Sequence, residues 1–219
     1  MRDPLLFDLD GTLIDSIPLI LSSFRHTLVE HLGAAPTDAE LVAGIGTPLR
    51  TQLARYTPDA ALVEALFRTY KAHNEAHHDA AVRAFDGVHT AVAALHGAGR
   101  TLGVVTSKAR PIALRGLEIT GLAQYFTVVV ALEDSTRHKP DPEPIERALA
   151  HLGASTRAAV YVGDSPHDLL AGRRAGVETA AAAWGPFSAA TLQAESPDLW
   201  FDGPADILRL LEPRALNRA

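Results

Sequence analysis

Two aspartates spaced by one residue, Asp8 and Asp10, close the apolar run Leu5-Leu6-Phe7 and are followed at once by Gly11 and Thr12. Side chains two apart on a strand point the same way, so both carboxylates should look into one site where the strand stops. Paired carboxylates repel, and a buried charge without a partner is costly. A metal ion is the natural partner for them. Three more polar clusters stand after apolar runs: Thr106-Ser107-Lys108, the stretch Arg137-His138-Lys139-Pro140-Asp141-Pro142-Glu143-Pro144, and Gly163-Asp164-Ser165-Pro166-His167-Asp168. Carboxylate oxygens suit a hard divalent cation, and a lysine and hydroxyls suit an anion beside it. With no cysteine in the chain, thiolate nucleophiles, disulfides and Cys-ligated zinc are excluded.

The elements that would position these residues can be read from the pattern. After the opening strand, Asp15 and Ser16 supply N-cap chemistry, with Pro18 in the first turn. Ile17, Ile20, Leu21, Phe24, Leu28 and Leu32 then follow helical spacing up to Gly33. Thr37-Asp38-Ala39-Glu40 has capping-box form, and Thr47-Pro48 and Thr57-Pro58 open two more helices. No strand is expected between 16 and 80. Beyond Val82 the texture alternates, with strands near 101–106, 127–130, 158–163, 178–183 and 199–201. Helices fall near 87–97, 111–117, 143–152, 166–175 and 204–211. Such alternation predicts an α/β fold, a Rossmann-like doubly wound parallel sheet covered on both faces, with a helical block inserted after the first strand. The expected division is a core of residues 1–15 and 82–219 and a helical cap of residues 16–81. In open α/β sheets ligands bind beyond the carboxyl ends of the strands, which is where all four polar clusters fall.

Taken together, Asp8-Leu9-Asp10-Gly11-Thr12, Thr106, Lys139 and Gly163-Asp164 with Asp168 resemble the four motifs of the haloacid dehalogenase-like superfamily, in the right order and over essentially the whole chain. The resemblance implies a Mg²⁺-dependent phosphohydrolase. Asp8 would be the nucleophile that carries an aspartyl-phosphate, and a carboxylate ionised at neutral pH needs no activating base. Asp10 would be the general acid and then the general base. The metal would be held by Asp8, the Asp10 carbonyl and Asp164, with Asp168 nearer its outer shell. Thr106 and backbone N–H groups near Gly11 and Ser107 would grip the phosphoryl oxygens, Lys139 would neutralise charge, and Lys108 would be a contact on the substrate side.

The helical block resembles the cap of the phosphoglycolate phosphatase-like branch, where it closes over the site and excludes water. Its loop Gly44-Ile45-Gly46-Thr47-Pro48-Leu49-Arg50 is the expected substrate contact, through Thr47 and Arg50. His73 and His77, at i and i+4, read as packing at the domain hinge. The stretch Asn74-x-Ala76-His77-His78-Asp79, with Leu132-Glu133-Asp134 before the Lys139 loop, is similar to the bacterial inorganic pyrophosphatases of this superfamily. The expected substrate is therefore pyrophosphate or a small phosphorylated compound. A β-phosphoglucomutase-like phosphotransferase shares nearly every motif, and a phospho-ligand-binding module without catalysis would share the fold. A phosphonate hydrolase would want a Schiff-base lysine in the cap, and Lys71, the only lysine in that block, lies late in a helix.

The 219 residues, 47% hydrophobic and 21% charged, suffice for one sizeable core plus an accessory unit. A formal charge of −6 argues against nucleic acid and acidic membranes as partners. No apolar run reaches the roughly 20 residues that span a bilayer, and the expected setting is cytoplasmic, as a monomer or homodimer.

Overall fold

The computed structural model describes residues 1–213, so 214–219 of the expected core segment lie outside the described residues. The opening apolar run is β1 (Leu5–Phe7). Its alternation sends Leu5 and Phe7 into one buried cluster and Leu6 into another on the opposite face. A strand covered on both faces has no polar side to present, which is why the run is unbroken.

The chain continues through β2 (Ile14–Asp15), α1 (Ile17–Leu32), α2 (Asp38–Val42), α3 (Leu49–Leu53), α4 (Ala60–Ala81) and β3 (Arg83–Ala84). It then runs through α5 (Val88–Gly97), β4 (Leu102–Val105), α6 (Arg110–Ile119), β5 (Val128–Val130) and α7 (Glu143–Leu152). The last elements are β6 (Val160–Gly163), α8 (Pro166–Ala175), β7 (Glu178–Ala182), α9 (Ala189–Gln193) and β8 (Leu199–Phe201). Pro204–Leu211, expected as a helix, is a 3-10 helix. Its repeat of three sets Ile207 and Leu210 in line, and both are buried in the cluster that includes Val88, Ala91 and Leu95 of α5.

Six strands form one parallel sheet in the order β5-β4-β1-β6-β7-β8. From β1 the chain winds outward to β4 and β5, then returns to β6 on the other side and winds outward again. The direction reverses between β1 and β6, and such a switch point opens a crevice at the carboxyl ends of the two strands. Asp8 follows one of them and Asp164 the other.

Between the opening strand and Arg83, the chain forms α1 to α4, in which Phe24 and Tyr70 meet edge to face with ring centroids 4.9 Å apart. Apolar residues of these helices have a buried cluster of their own, which includes Ile17, Ile20, Phe24, Leu28, Leu66 and Tyr70. The two chain crossings are joined by a short antiparallel ladder that the sequence reading missed, pairing Ile14 with Ala84 and Asp15 with Arg83. Strands of two residues are too short to leave a period.

Candidate active site

Asp8 leaves β1 with its N–H on the Val162 carbonyl (2.9 Å), and its side chain is buried. The chain then reverses through Gly11, whose φ of +85° is the left-handed conformation glycine tolerates. The close approach there is as demanding as the angle, since a Cβ on Gly11 would lie 2.5 Å from Asp164 Oδ2. On another side, a Cβ on Gly185 would lie 2.3 Å from the Asp164 Cβ. The Asp164 carboxylate thus sits in a slot that only glycines leave open. Its Oδ1 accepts the Thr12 hydroxyl at 2.7 Å, while Oδ2 is buried with no partner.

Asp168 stands in the first turn of α8, where it forms a reciprocal capping box with Ser165. Its Oδ1 accepts Lys139 Nζ at 2.6 Å and the Tyr161 hydroxyl at 3.0 Å. Lys139 also donates to Asp8 Oδ1 at 2.8 Å and to the Tyr161 oxygen at 3.1 Å, so all three ammonium protons have acceptors. The loop that delivers Lys139 is pinned from below by Glu143, whose carboxylate accepts the N–H groups of Thr136 (3.1 Å) and Arg137 (2.9 Å). Those two bonds hold the Glu143 carboxyl well below its ordinary range against the opposing effect of burial, with smaller help from the Arg147 guanidinium and the Thr136 hydroxyl.

Three carboxylates and one lysine therefore share a buried space, and one oxygen from each of Asp8, Asp164 and Asp168 falls within 4.8 Å of the others. Burial pushes Asp8 up to about 7, although Lys139 opposes it. Burial, and then the charges of Asp168 and Asp8, raise Asp164 well above the carboxylate range. Burial alone would lower Lys139, but Asp168 and Asp8 outweigh it and the amine is raised. The cluster sets three carboxyl groups against one amine and keeps one orphaned oxygen. A cation bound by hard oxygen ligands would relieve both, and the donor set fits magnesium chemistry.

Asp10 is only partly buried, and both of its bonded donors reach Oδ1, Lys108 Nζ at 2.6 Å and the Ser16 hydroxyl. Ser16 precedes α1 but makes no side-chain cap. The expectation of a capping serine is thus corrected, because its hydroxyl turns toward Asp10 instead. Thr106 is buried beyond β4, its N–H on Val130 and its hydroxyl oxygen accepting the Lys108 N–H at 3.1 Å. Ser107 donates to the Gly46 carbonyl at 2.7 Å, which ties the helical block to the sheet.

Between the block and the strand ends lies a cavity of about 420 Å³, lined by Asp8, Asp10, Thr106, Ser107, Lys108 and Lys139 below and by Thr47 and Arg50 above. Gly11, Asp164 and Asp168 do not line it; they form the wall behind Asp8. Thr47 is turned inward to its own loop, its hydroxyl donating to the Gly44 carbonyl at 2.8 Å. Arg50 grips Glu64 with two nitrogens (2.6 and 3.1 Å) and lies 3.6 Å over the Phe67 ring.

The histidine run divides. His73 stacks on His77 and on His26 of α1, with centroids 4.4 and 4.5 Å apart, away from the cavity and within the helical block rather than at its hinge. His78, fully buried, is the one that crosses to α6, where a Cβ on Gly116 would lie 3.7 Å from its Nε2. Sequence reasoning gave no individual role in the site to Tyr161, Thr12, Ser16, Tyr70 or Asn74. For Tyr161 a signal existed: a phenol inside the apolar run Ala158-Ala159-Val160-Tyr161-Val162 has to find a buried partner.

Residues 5–182 match the family model of haloacid dehalogenase-like hydrolases. The chain belongs to that family. Pyrophosphatase PpaX of Anoxybacillus flavithermus is 42% identical over 207 residues, covering 94% of this chain and 95% of that protein. Pyrophosphatase PpaX of Bacillus cereus is 39% identical over 214 residues, covering 98% and 97%. Among solved structures, a Bacteroides fragilis protein described as haloacid dehalogenase-like superposes with a TM-score of 0.88 at 28% identity, over 94% of this chain and all of that one (100%). A predicted phosphoglycolate phosphatase of Haemophilus somnus shares the fold at a TM-score of 0.89 and 23% identity, over 96% and 98% of the two chains. This family member has no helix, among the described residues, that is long and apolar enough to cross a membrane.

Proposed function

We propose that the chain is a magnesium-dependent phosphohydrolase that works on a small phosphate compound through an aspartyl-phosphate on Asp8. One observation carries this reading. Asp8 is a buried carboxylate held by Lys139 on Oδ1, next to Asp164, whose Oδ2 has no partner. A carboxylate fixed by a lysine, beside an empty oxygen ligand, can attack a phosphorus whose charge is neutralised from two sides.

Asp8, the Asp10 carbonyl and Asp164 would hold the ion, and Asp168 would orient the site through Lys139. When bound, Mg²⁺ supplies charge neutralisation between carboxylate and phosphate oxygens. In the first step an Asp8 oxygen bonds to phosphorus, the bond from phosphorus to the leaving oxygen breaks, and Asp10 gives that oxygen a proton. In the second step water attacks the phosphorus, Asp10 takes its proton, and inorganic phosphate leaves Asp8 free. Both donors on Asp10 reach Oδ1, so Oδ2 is the oxygen left to exchange that proton. Thr106 and the N–H groups near Gly11 and Ser107 would hold the transferring oxygens, with Lys108, Thr47 and Arg50 on the side of the leaving group. The helical block of residues 16–81 would act as the cap over a core of residues 1–15 and 82–219, and the Ser107–Gly46 bond is the contact that supports this.

The relatives named as pyrophosphatases support hydrolysis at phosphorus. The test is phosphate release with Mg²⁺ by wild type and by Asp8→Asn. Turnover in the wild type and its loss in a folded Asp8→Asn protein are expected. Turnover that survives the substitution would sink the covalent mechanism. A phosphoryl transfer that leaves no free phosphate would favour the phosphotransferase alternative.

A further inference from the structure

The two walls of the cavity differ, and the difference bears on which phosphate compound fits. The reacting end is ionic. The far end is walled by Ile20, Phe24, Ile45, Phe67, Tyr70 and Ile112. A volume of about 420 Å³ lies in the range of clefts that enclose organic small molecules, roughly 300–1,000 Å³.

A second phosphate there would need cations free to receive it, and the cations that line this part of the cavity are already committed. Arg50 is held by both oxygens of Glu64, Lys71 lies 3.7 Å from Glu75, and Lys108 is on Asp10. Glu75 and Glu133 also line the cavity and would repel a second anion. Beside the Gln52 amide oxygen, two uncharged polar groups of the lining are left without hydrogen-bond partners among the described residues. One is the hydroxyl of Tyr70, a buried side chain close enough to Asp10 for that charge to add to burial in raising the phenol. The other is the Asn74 amide oxygen, and its orientation follows from hydrogen-bond chemistry. The Ser23 hydroxyl has one proton and two acceptors nearer than Asn74, the Leu19 carbonyl at 2.8 Å and, in one tautomer, His73 Nδ1 at 3.1 Å. With that proton spent on a nearer acceptor, Asn74 turns its NH₂ toward Ser23, at 3.3 Å, which leaves its oxygen as an acceptor. A ligand that offers only acceptor oxygens cannot satisfy it.

We infer that the site takes a phosphate monoester of an organic alcohol with an aromatic or branched apolar body and a hydrogen-bond donor, in preference to inorganic pyrophosphate. This rests on the phosphohydrolase reading above and sharpens its substrate class. The body would lie against Phe24, Phe67 and Tyr70, and its donor would meet Asn74.

The test compares kcat/KM of the wild-type enzyme with Mg²⁺ on adenosine 5′-monophosphate, phenyl phosphate and pyrophosphate. At least one of the two esters should exceed pyrophosphate by ten-fold or more, and Phe67→Ala should reduce that ratio several-fold. A second readout avoids turnover: in Asp8→Asn, calorimetric titration should give the preferred ester a dissociation constant at least ten-fold below that of pyrophosphate. If neither ester exceeds pyrophosphate by ten-fold while pyrophosphate is hydrolysed, the substrate class is wrong and the phosphohydrolase reading stands. If no compound releases phosphate, the phosphohydrolase reading fails and takes this inference with it. The wild-type ratio decides the matter even if a variant does not fold.

Discussion

Tyr161→Phe is the sharpest probe of how Lys139 is held. The hydroxyl accepts from Lys139 Nζ at 3.1 Å, and its single proton is shared between Asp168 Oδ1 and the Val105 carbonyl, both at 3.0 Å. Burial raises this phenol well above its ordinary value, so it stays protonated and remains a donor. Removing the oxygen changes almost no volume, which separates hydrogen bonding from packing. Lys139 keeps Asp8 and Asp168, and Asp168 Oδ1 keeps Lys139, so the penalty is not three lost bonds. It is about one buried group left unpaired, roughly 1–3 kcal/mol. Taking about 2 kcal/mol, and about 2–4 °C per kcal/mol for a chain of this size, Tm should fall by roughly 4–8 °C. The assay is thermal unfolding with a denaturant series as a check, repeated in Lys139→Met and in the double variant. The cycle should show a coupling of about 1 kcal/mol or more, since contacting residues are not additive. A Tm within about 1 °C of wild type, or a cycle with no coupling, would refute the idea that the phenol braces Lys139.

Two further predictions follow from the same geometry. Gly11→Ala forces a side chain into a backbone conformation that costs roughly 1–2 kcal/mol, with its Cβ 2.5 Å from Asp164 Oδ2. Displacing that carboxylate should weaken Mg²⁺ binding at least ten-fold by titration calorimetry, and unchanged affinity would mean Asp164 is not a ligand. Glu143 is lowered in the folded protein, chiefly by the Thr136 and Arg137 N–H groups, so the unfolded chain binds its proton first, near its ordinary pKa of about 4.3. The stabilisation is complete above that value and is lost as pH falls toward the folded value. Glu143→Gln should flatten the dependence of the unfolding midpoint on pH below about 5, and two curves of equal slope there would count against it.

Much of the arrangement was legible in the sequence because it depends on spacing along single segments. Asp8 and Asp10 follow one strand, Asp164 and Asp168 follow another, and four consecutive strand ends carried the polar clusters. What was not legible depends on segments that meet only after folding. Ser16 looked like a cap, since serine before a helix usually is one, but Asp10 competes successfully for its hydroxyl. Arg50 lines the cavity as an anion contact should, but its pairing with Glu64 of the next helix and its stacking on Phe67 could not be read from spacing. The helix expected at Pro204–Leu211 carried an apolar spacing that a 3-10 helix satisfies as well as an α-helix, and only packing against α5 distinguishes them.

The two-rung ladder between Ile14–Asp15 and Arg83–Ala84 has a mechanical consequence. A block attached by two separate strands of chain could twist and slide independently at each. Zipped together, the two attachments share one axle, which would oblige the block to swing as a unit. Ser16 is the next residue along from that axle, and its hydroxyl rests on Asp10. Any swing that turned the backbone at Ser16 would therefore tug on the same carboxylate that would move the proton. With Asp10 as the proposed acid and the block as the proposed lid, the two would share a pivot, and closure would reach the chemistry without a separate messenger.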